Sequence, residues 1–254
     1  MKPLPTVLAA TTIAAIGGAS AATVNYSTSF LASETPAFAN GGLNGQNSWV
    51  AHPGFSVSDA SGIGTVNDVN ANGPVHTATS ADITSELAAG KTIILTLRLS
   101  FSGTFTTQNS GAWLLGLTDS ATGMPEGATS TIGTATFNNN GDNDFYLSAV
   151  GFNNGTKFDT GIVWDTDYHT VTTTITRSAT TNVFDITADF DGQSTSYTMT
   201  HADLWDGTDT AYAGFRFRGQ ENGTIDSFSV SSVPEPGSAL LLLGGFGLLA
   251  RRRR

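Results

Sequence analysis

Apolar and polar residues alternate over many short stretches of this chain. In the longest stretch, 93–101, every odd-numbered residue is apolar, whereas Thr96 and Arg98 fall on the opposite face. Because successive side chains of a β-strand point to opposite faces, this pattern predicts a strand with one buried face and one wet face. The same alternation at 171–177 and 183–190, on either side of a turn at 178–182, predicts a hairpin.

Further short segments have the composition of strands and are separated by turns rich in Gly, Asn, Asp and Ser. They lie at 24–30, 55–59, 64–69, 113–117, 145–152, 162–164, 196–200, 212–217 and 224–233. This many short strands predicts an all-β fold, a two-sheet jelly-roll sandwich. One short helix is predicted at 82–89, where Ser80 or Asp82 can cap the start and Gly90 can end it.

Residues 1–22 have the features of a secretory signal peptide. Lys2 supplies a positive charge, residues 4–16 are mostly apolar, and residues 19–22 are small, as signal peptidase requires. We therefore expect signal peptidase to remove residues 1–22 from an exported protein.

The C-terminal segment, 233–254, contains three distinct parts. Pro234, Glu235 and Pro236 precede an apolar run at 239–250, and Arg251, Arg252, Arg253 and Arg254 follow it. A helix from 237 to 250 would be about 21 Å long, shorter than a bilayer core of about 30 Å. Arginine clusters stay on the cytoplasmic side, which predicts a sandwich domain outside the membrane.

This arrangement resembles the PEP-CTERM sorting signal of exported bacterial proteins. The resemblance implies a Gram-negative-type bacterium, transient anchoring of the C-terminal helix in the inner membrane and processing by the peptidase exosortase. The protein would then reside at the cell surface or in the extracellular matrix. The alternative is that the segment 233–254 is a plain single-pass membrane anchor and not a sorting signal.

Between the two ends, residues 23–232 form one predicted sandwich domain. This region has six basic and twenty acidic residues, a net charge of −14. Nucleic acids and anionic membrane surfaces bind positive patches, so this charge argues against both as partners. The chain has no cysteine, and the exported domain must be held together by its core.

Four short motifs of the predicted domain resemble the concanavalin A-like or laminin G-like jelly-roll superfamily. They are residues 43–49, 168–171, 189–193 and 223–230. The resemblance implies glycan binding, often with calcium, or glycan hydrolysis. Fold membership alone does not decide between these functions.

The enzymatic alternative requires a catalytic pair. Glycoside hydrolases of this superfamily carry a Glu-x-Asp-x-Glu cluster, and this sequence has none. It also lacks cysteine and a Gly-x-Ser-x-Gly elbow. We therefore predict a non-enzymatic protein. The alternative is a jelly-roll glycoside hydrolase or lyase with an atypical pair, for which Asp189 and Asp191 are the candidates to test.

A binding protein requires fewer residues. Asn140, Asp142 and Asp144 lie in an oxygen-rich segment and are candidate calcium ligands, although Asp and Asn are also common turn residues. Trp205, Asp189 and Asp191 are candidate glycan contacts, since aromatic faces stack on sugar rings and carboxylates bind hydroxyls. An exopolysaccharide is the candidate partner, and a purely structural role is the alternative.

Exosortase processing predicts a new C-terminus. Mass spectrometry of protein recovered from the native cell surface should find chains that end near residues 234–238. Recovery of mostly intact chains ending at Arg254 would contradict processing.

Overall fold

A computed structural model describes most of the predicted domain. The described residues are 23–60, 63–68, 76–87, 90–102, 111–120, 131–138, 144–150, 157–163, 165–178, 180, 182–200, 210–219 and 222–233. Residues 22–234 form one compact unit. The predicted signal peptide and the tail beyond residue 233 lie outside the described residues, and the predicted domain boundaries stay a prediction.

The described strands form two antiparallel sheets. The first sheet contains, in spatial order, β14 (Gln193–Thr200), β13 (Val183–Phe190), β12 (His169–Arg177), β7 (Thr92–Ser102), β16 (Asn222–Val233), β5 (Ile63–Asp68), β4 (Phe55–Ala60) and β2 (Gly41–Gly42), and β1 (Thr23–Thr28) also pairs with β16. The second contains β11 (Phe158–Val163), β10 (Asp144–Val150), β9 (Thr131–Asn138), β8 (Gly111–Thr118), β15 (Tyr212–Gly219), β6 (His76–Asp82) and β3 (Val50–Ala51). This architecture confirms the predicted all-β, two-sheet sandwich.

The alternating segments are strands, as predicted. In β7 the odd-numbered residues from Ile93 to Phe101 are buried, whereas Arg98 is exposed. β12 and β13 form the predicted hairpin, in which Ile175 lies opposite Ile186 and both are buried. Apolar side chains at every second position therefore determine which face of the first sheet covers the core.

The prediction of a helix at 82–89 is wrong. β6 continues through Asp82, which pairs with Tyr212, and only Thr84–Glu86 forms a single 3₁₀ turn. The N–H of Ile83 donates to the carbonyl of Ala211 at 2.8 Å, so sheet pairing replaces the predicted cap. Gly90 does adopt the left-handed conformation expected of it, with φ +77°.

Aromatic residues from both sheets pack around Trp49. Its ring lies 5.2 Å from that of Phe215 in the second sheet and 5.5 Å from that of Phe228 in the first. The indole N–H of Trp49 donates to the hydroxyl of Tyr26 at 2.8 Å. Burial raises the pKa of Tyr26 to about 12, and the bond from Trp49 opposes part of that rise. The motif at 43–49 therefore contributes to the core.

Trp113 joins the sheets at a second point. It is buried on β8, with its ring 4.5 Å from that of Phe217, and it packs against the backbone of Gly223 on β16. A Cβ atom at position 223 would overlap Cζ2 of the Trp113 ring. Only glycine therefore fits at position 223 with Trp113 in place.

Gly223→Ala should lower the free energy of unfolding by about 1–3 kcal/mol, the usual cost of overpacking a dense core. Gly42→Ala is the matched control, because a Cβ there meets nothing within 4 Å. Urea denaturation should place the control within about 0.5 kcal/mol of the wild type. Equal stability of both variants would show that Trp113 does not pack tightly on β16.

Candidate functional site

Two connections meet at one end of the first sheet: the segment 165–168 that leads into β12, and the turn between β13 and β14. Asp191 and Gly192 form this two-residue turn with φ +48° and +86°. Positive φ at both positions is what a tight type I′ hairpin requires, and an Asp-Gly pair adopts it readily. The carboxylate of Asp189 accepts the N–H of Gly192 at 3.0 Å and stabilises the turn.

His169 links the two connections. It is 5% exposed, with Nδ1 2.6 Å from Oδ2 of Asp191 and Nε2 2.9 Å from Oδ1 of Asp165. Its ring stacks on Phe190 at 5.0 Å and meets Phe145 edge-on at 4.8 Å. We call Asp165, His169 and Asp191 the Asp–His–Asp bridge. It attaches both connections to the core.

Backbone N–H groups complete the bridge. The second oxygen of Asp191 accepts the N–H of Thr170 at 2.8 Å, and Asp165 accepts the N–H of Asp167 at 2.7 Å. Partial burial acts to raise the pKa of Asp165, but the Asp167 N–H and His169 hold it below its ordinary value. Hydrogen bonds within the bridge thus favour the ionised carboxylate of Asp165.

Tyr168 precedes His169 of the bridge and is 37% exposed. The guanidinium carbon of Arg98 lies 4.6 Å from the centre of the Tyr168 ring. Nη1 of Arg98 also donates to Oδ2 of Asp226 on β16 at 2.5 Å. Tyr168, Arg98 and Asp226 are called the Tyr168 patch below. The patch combines an aromatic face, a cation and a carboxylate at the surface.

The structure places the predicted site residues unevenly. Asp189 lies near the end of β13 and Asp191 lies in the β13–β14 turn, and each is held by local bonds, Asp189 to Gly192 and Asp191 to His169 and Thr170. Asp144 is the half-buried first residue of β10. Trp205, Asn140, Asp142, the sorting motif Pro234, Glu235 and Pro236 and the arginines 251–254 lie outside the described residues.

The proposed calcium and glycan contacts therefore stay predictions. Within the parts of the chain that the structure describes, no three His, Cys, Asp or Glu side chains are arranged to hold a metal ion. No helix among the described residues is long and apolar enough to span a membrane.

Sequence reasoning missed the Tyr168 patch and His169 as a site. Among the sequence predictions, Tyr168 and His169 occur only as part of the motif at 168–171. Arg98 and Asp226 are separated by 128 residues and His169 and Asp191 by 22, and no local pattern links either pair. One signal was available: a histidine at an inward-facing position of an alternating strand needs polar partners when it is buried.

Solved structures with the same fold include a glucanase, a carbohydrate esterase and lectins. The endo-1,3-β-glucanase of Streptomyces sioyaensis is 15% identical with a TM-score of 0.54, covering 92% of this chain and 99% of the glucanase. A carbohydrate esterase of the Shiga toxin-encoding bacteriophage phi24B is 19% identical with a TM-score of 0.53, covering 84% and 100%. Lectin II from Ulex europaeus is 14% identical with a TM-score of 0.51, also covering 84% and 100%.

At these identities the likeness shows the fold alone. No curated protein matches the sequence. Residues 232–254 match the PEP-CTERM protein-sorting motif, which confirms the predicted motif at Pro234, Glu235 and Pro236. The motif indicates an exported protein sorted to the cell envelope or surface, and it implies processing by exosortase. The chain thus carries a PEP-CTERM sorting motif and a two-sheet β-sandwich of the same fold as these lectin and glucanase structures.

Proposed function

We propose that this protein is an exported, non-enzymatic surface protein that binds a neutral glycan, such as an exopolysaccharide, through the Tyr168 patch. The observation that carries the proposal is the exposed Tyr168 ring, which contacts the Arg98 guanidinium and directly precedes His169 of the Asp–His–Asp bridge. The apolar face of a sugar ring stacks on such an aromatic side chain, while its hydroxyls bind guanidinium and carboxylate groups.

The bridge supports binding because it orients Tyr168 before a ligand arrives. The backbone on either side of Tyr168 is held: Asp167 donates to Asp165, and His169 is buried between Phe145 and Phe190. A residue that is already ordered loses little conformational freedom when it binds, and this saving appears as affinity.

Charge favours a neutral glycan. Residues 23–232 carry a net charge of −14, and the cation of the patch, Arg98, is paired with Asp226. Asp165 and Asp167, close to Tyr168 in the sequence, and Asp191 of the bridge are all exposed. An acidic polysaccharide would be repelled by this surface, whereas the hydroxyls of a neutral one can donate to its carboxylates.

The geometry of the bridge also favours binding over hydrolysis. A general acid or base must reach the proton that it transfers. Both ring nitrogens of His169 lie against carboxylates, and both oxygens of Asp191 are hydrogen-bonded or paired. The carboxylates of Asp189 and Asp191, the candidate atypical pair, therefore stabilise the turn and the bridge. Release of reducing sugar from a β-glucan, lost on changing Asp191, would establish the hydrolase instead.

The finer steps of export are part of the same proposal. Signal peptidase removes the leader, the apolar tail holds the protein in the inner membrane of a Gram-negative-type cell, and exosortase then transfers it to the surface or matrix. Calcium binding at Asn140, Asp142 and Asp144 would add to the site only if the segment 139–143 approaches a ligand.

Tyr168→Ala should weaken glycan binding about tenfold, equivalent to about 1.4 kcal/mol, because the stacking face is lost. Tyr168→Phe is the matched control and should stay within about threefold, since it keeps the ring. Calorimetry of each purified variant against neutral and uronic acid glycans, with calcium and then with a chelator, measures the two affinities. Absence of binding to every glycan in both conditions would overturn the proposal.

The Asp–His–Asp bridge predicts that the stability of the protein depends on pH in the acidic range. The pKa of Asp165 is lower in the folded protein than its ordinary value, so its contribution to stability is present above about pH 4 and is lost as pH falls through the folded pKa. Asp165→Asn should therefore lower stability at pH 6, by less than about 1 kcal/mol for so exposed a pair. The difference from wild type should shrink toward pH 3.

Asp167→Asn is the control for this prediction, because the bridge uses the backbone N–H of Asp167 and not its carboxylate. Urea unfolding at both pH values measures the two differences. A gap between wild type and Asp165→Asn that stays constant from pH 6 to pH 3 would show that Asp165 is not stabilised in the fold.

A further inference from the structure

The outward-facing residues of β12 from 170 to 176 are all threonines. Thr170, Thr172, Thr174 and Thr176 are half-buried, whereas the three residues between them are buried in the core. At about 3.3 Å per residue, this row of hydroxyls is about 20 Å long. None of the residues 170–176 carries a charge, although the region 23–232 has a net charge of −14. We call the four threonines the β12 track.

The β12 track begins at the Tyr168 patch. Residues directly opposite in antiparallel strands point to the same face of a sheet. Arg98 of the patch lies opposite Thr170, so the guanidinium and the track share the outer face of the first sheet. The guanidinium carbon lies 4.6 Å from the centre of the Tyr168 ring, which places the ring at the same end of this face. The patch and the track are therefore one continuous surface.

Carboxylates of the neighbouring strand β13 flank the track. Asp189 lies opposite Thr172. Asp185 lies opposite Thr176. Each carboxylate accepts one local hydrogen bond through a single oxygen, Asp189 from a backbone N–H and Asp185 from a threonine hydroxyl. Because a carboxylate offers about four acceptor positions on its two oxygens, each of them can also accept from the hydroxyl of a ligand.

The side chains of this surface are already ordered. Threonine is branched at Cβ, which restricts its χ1 rotamers in a strand. The hydroxyls of Thr92 and Thr176 lie 2.8 Å apart across β7 and β12. Those of Thr187 and Ser196 lie 3.0 Å apart across β13 and β14. A ligand that contacts these side chains therefore removes little further conformational freedom, and this saving appears as affinity.

On the basis of the proposed function, we infer that the glycan is a linear neutral polysaccharide whose chain continues from the Tyr168 ring along the β12 track. One sugar stacks on the ring, and the following sugars bind the threonine hydroxyls and the carboxylates of Asp185 and Asp189. These two carboxylates repel an acidic chain, whereas the hydroxyls of a neutral chain donate to them. The surface thus binds an extended segment of a polymer and not a single sugar.

The dependence of affinity on ligand length tests this inference. Calorimetry of the full chain in mild detergent, against linear neutral glucans from a disaccharide to an octasaccharide, should show affinity rising about tenfold or more with length. Thr174→Glu places a longer, charged side chain in the middle of the track and should remove most of this rise. Ser27→Glu, at an exposed position on β1 outside the track, is the matched control and should retain it.

Thr172→Val is a second variant, which keeps the shape of the side chain and removes only its hydroxyl. It should weaken binding of the octasaccharide about threefold, and it tests the track even if Thr174→Glu does not fold. Thermal unfolding shows which variants are folded before their affinities are compared.

Equal affinity of the wild type for short and long oligosaccharides overturns the inference, and the Tyr168 patch is retained if Tyr168→Ala still weakens binding. A rise with length that Thr174→Glu removes and Tyr168→Ala leaves unchanged supports the track and contradicts stacking on Tyr168. Absence of binding to every oligosaccharide overturns both proposals. Sedimentation without glycan measures the other possible occupant: self-association that Thr174→Glu abolishes would assign this face to a second copy and overturn the inference.

Discussion

Packing of aromatic side chains between the two sheets is the interaction on which the rest of this structure depends. The chain has no cysteine, so no covalent link helps to hold the sheets together. Trp49 and Phe215 pack in one half of the core, and Phe101 and Phe145 pack in the other at 5.5 Å. Phe145 then contacts Phe190 at 4.4 Å, and both contact His169. The candidate site is therefore the polar end of the aromatic core.

The two sheets differ on their outer faces, and this difference locates the accessible surface. In the second sheet Trp113 and Leu115 face the core, yet Leu114 between them is also buried. Arg216, opposite Leu114 on β15, is 1% exposed. In the first sheet Arg98 has a side chain that is 44% exposed, at the corresponding outward position. Ligands and partners thus have access to the outer face of the first sheet.

The fold could be predicted from the sequence because strand periodicity is a local property. The alternation around Leu97 and the predicted turn at 178–182 each act within a few residues of the chain. The prediction of a helix at 82–89 failed because Asp82 pairs with Tyr212 of β15 and Ile83 bonds to Ala211, the residue before β15. This sheet pairing outweighs a weak helical tendency. The site could not be predicted, since its contacts join segments that only the folded sheets bring together.

β16 connects two features that were described separately. Near its C-terminal end it is hydrogen-bonded to β7 on one side and to β1 on the other, where Thr23 lies opposite Ser232. It carries Asp226 of the Tyr168 patch, and the sorting motif begins at its end. A pull on the chain beyond Val233 therefore acts along the length of a strand paired on both sides. Tension between the tail and a load at the patch would run through this one strand in shear, the direction in which many hydrogen bonds must break together.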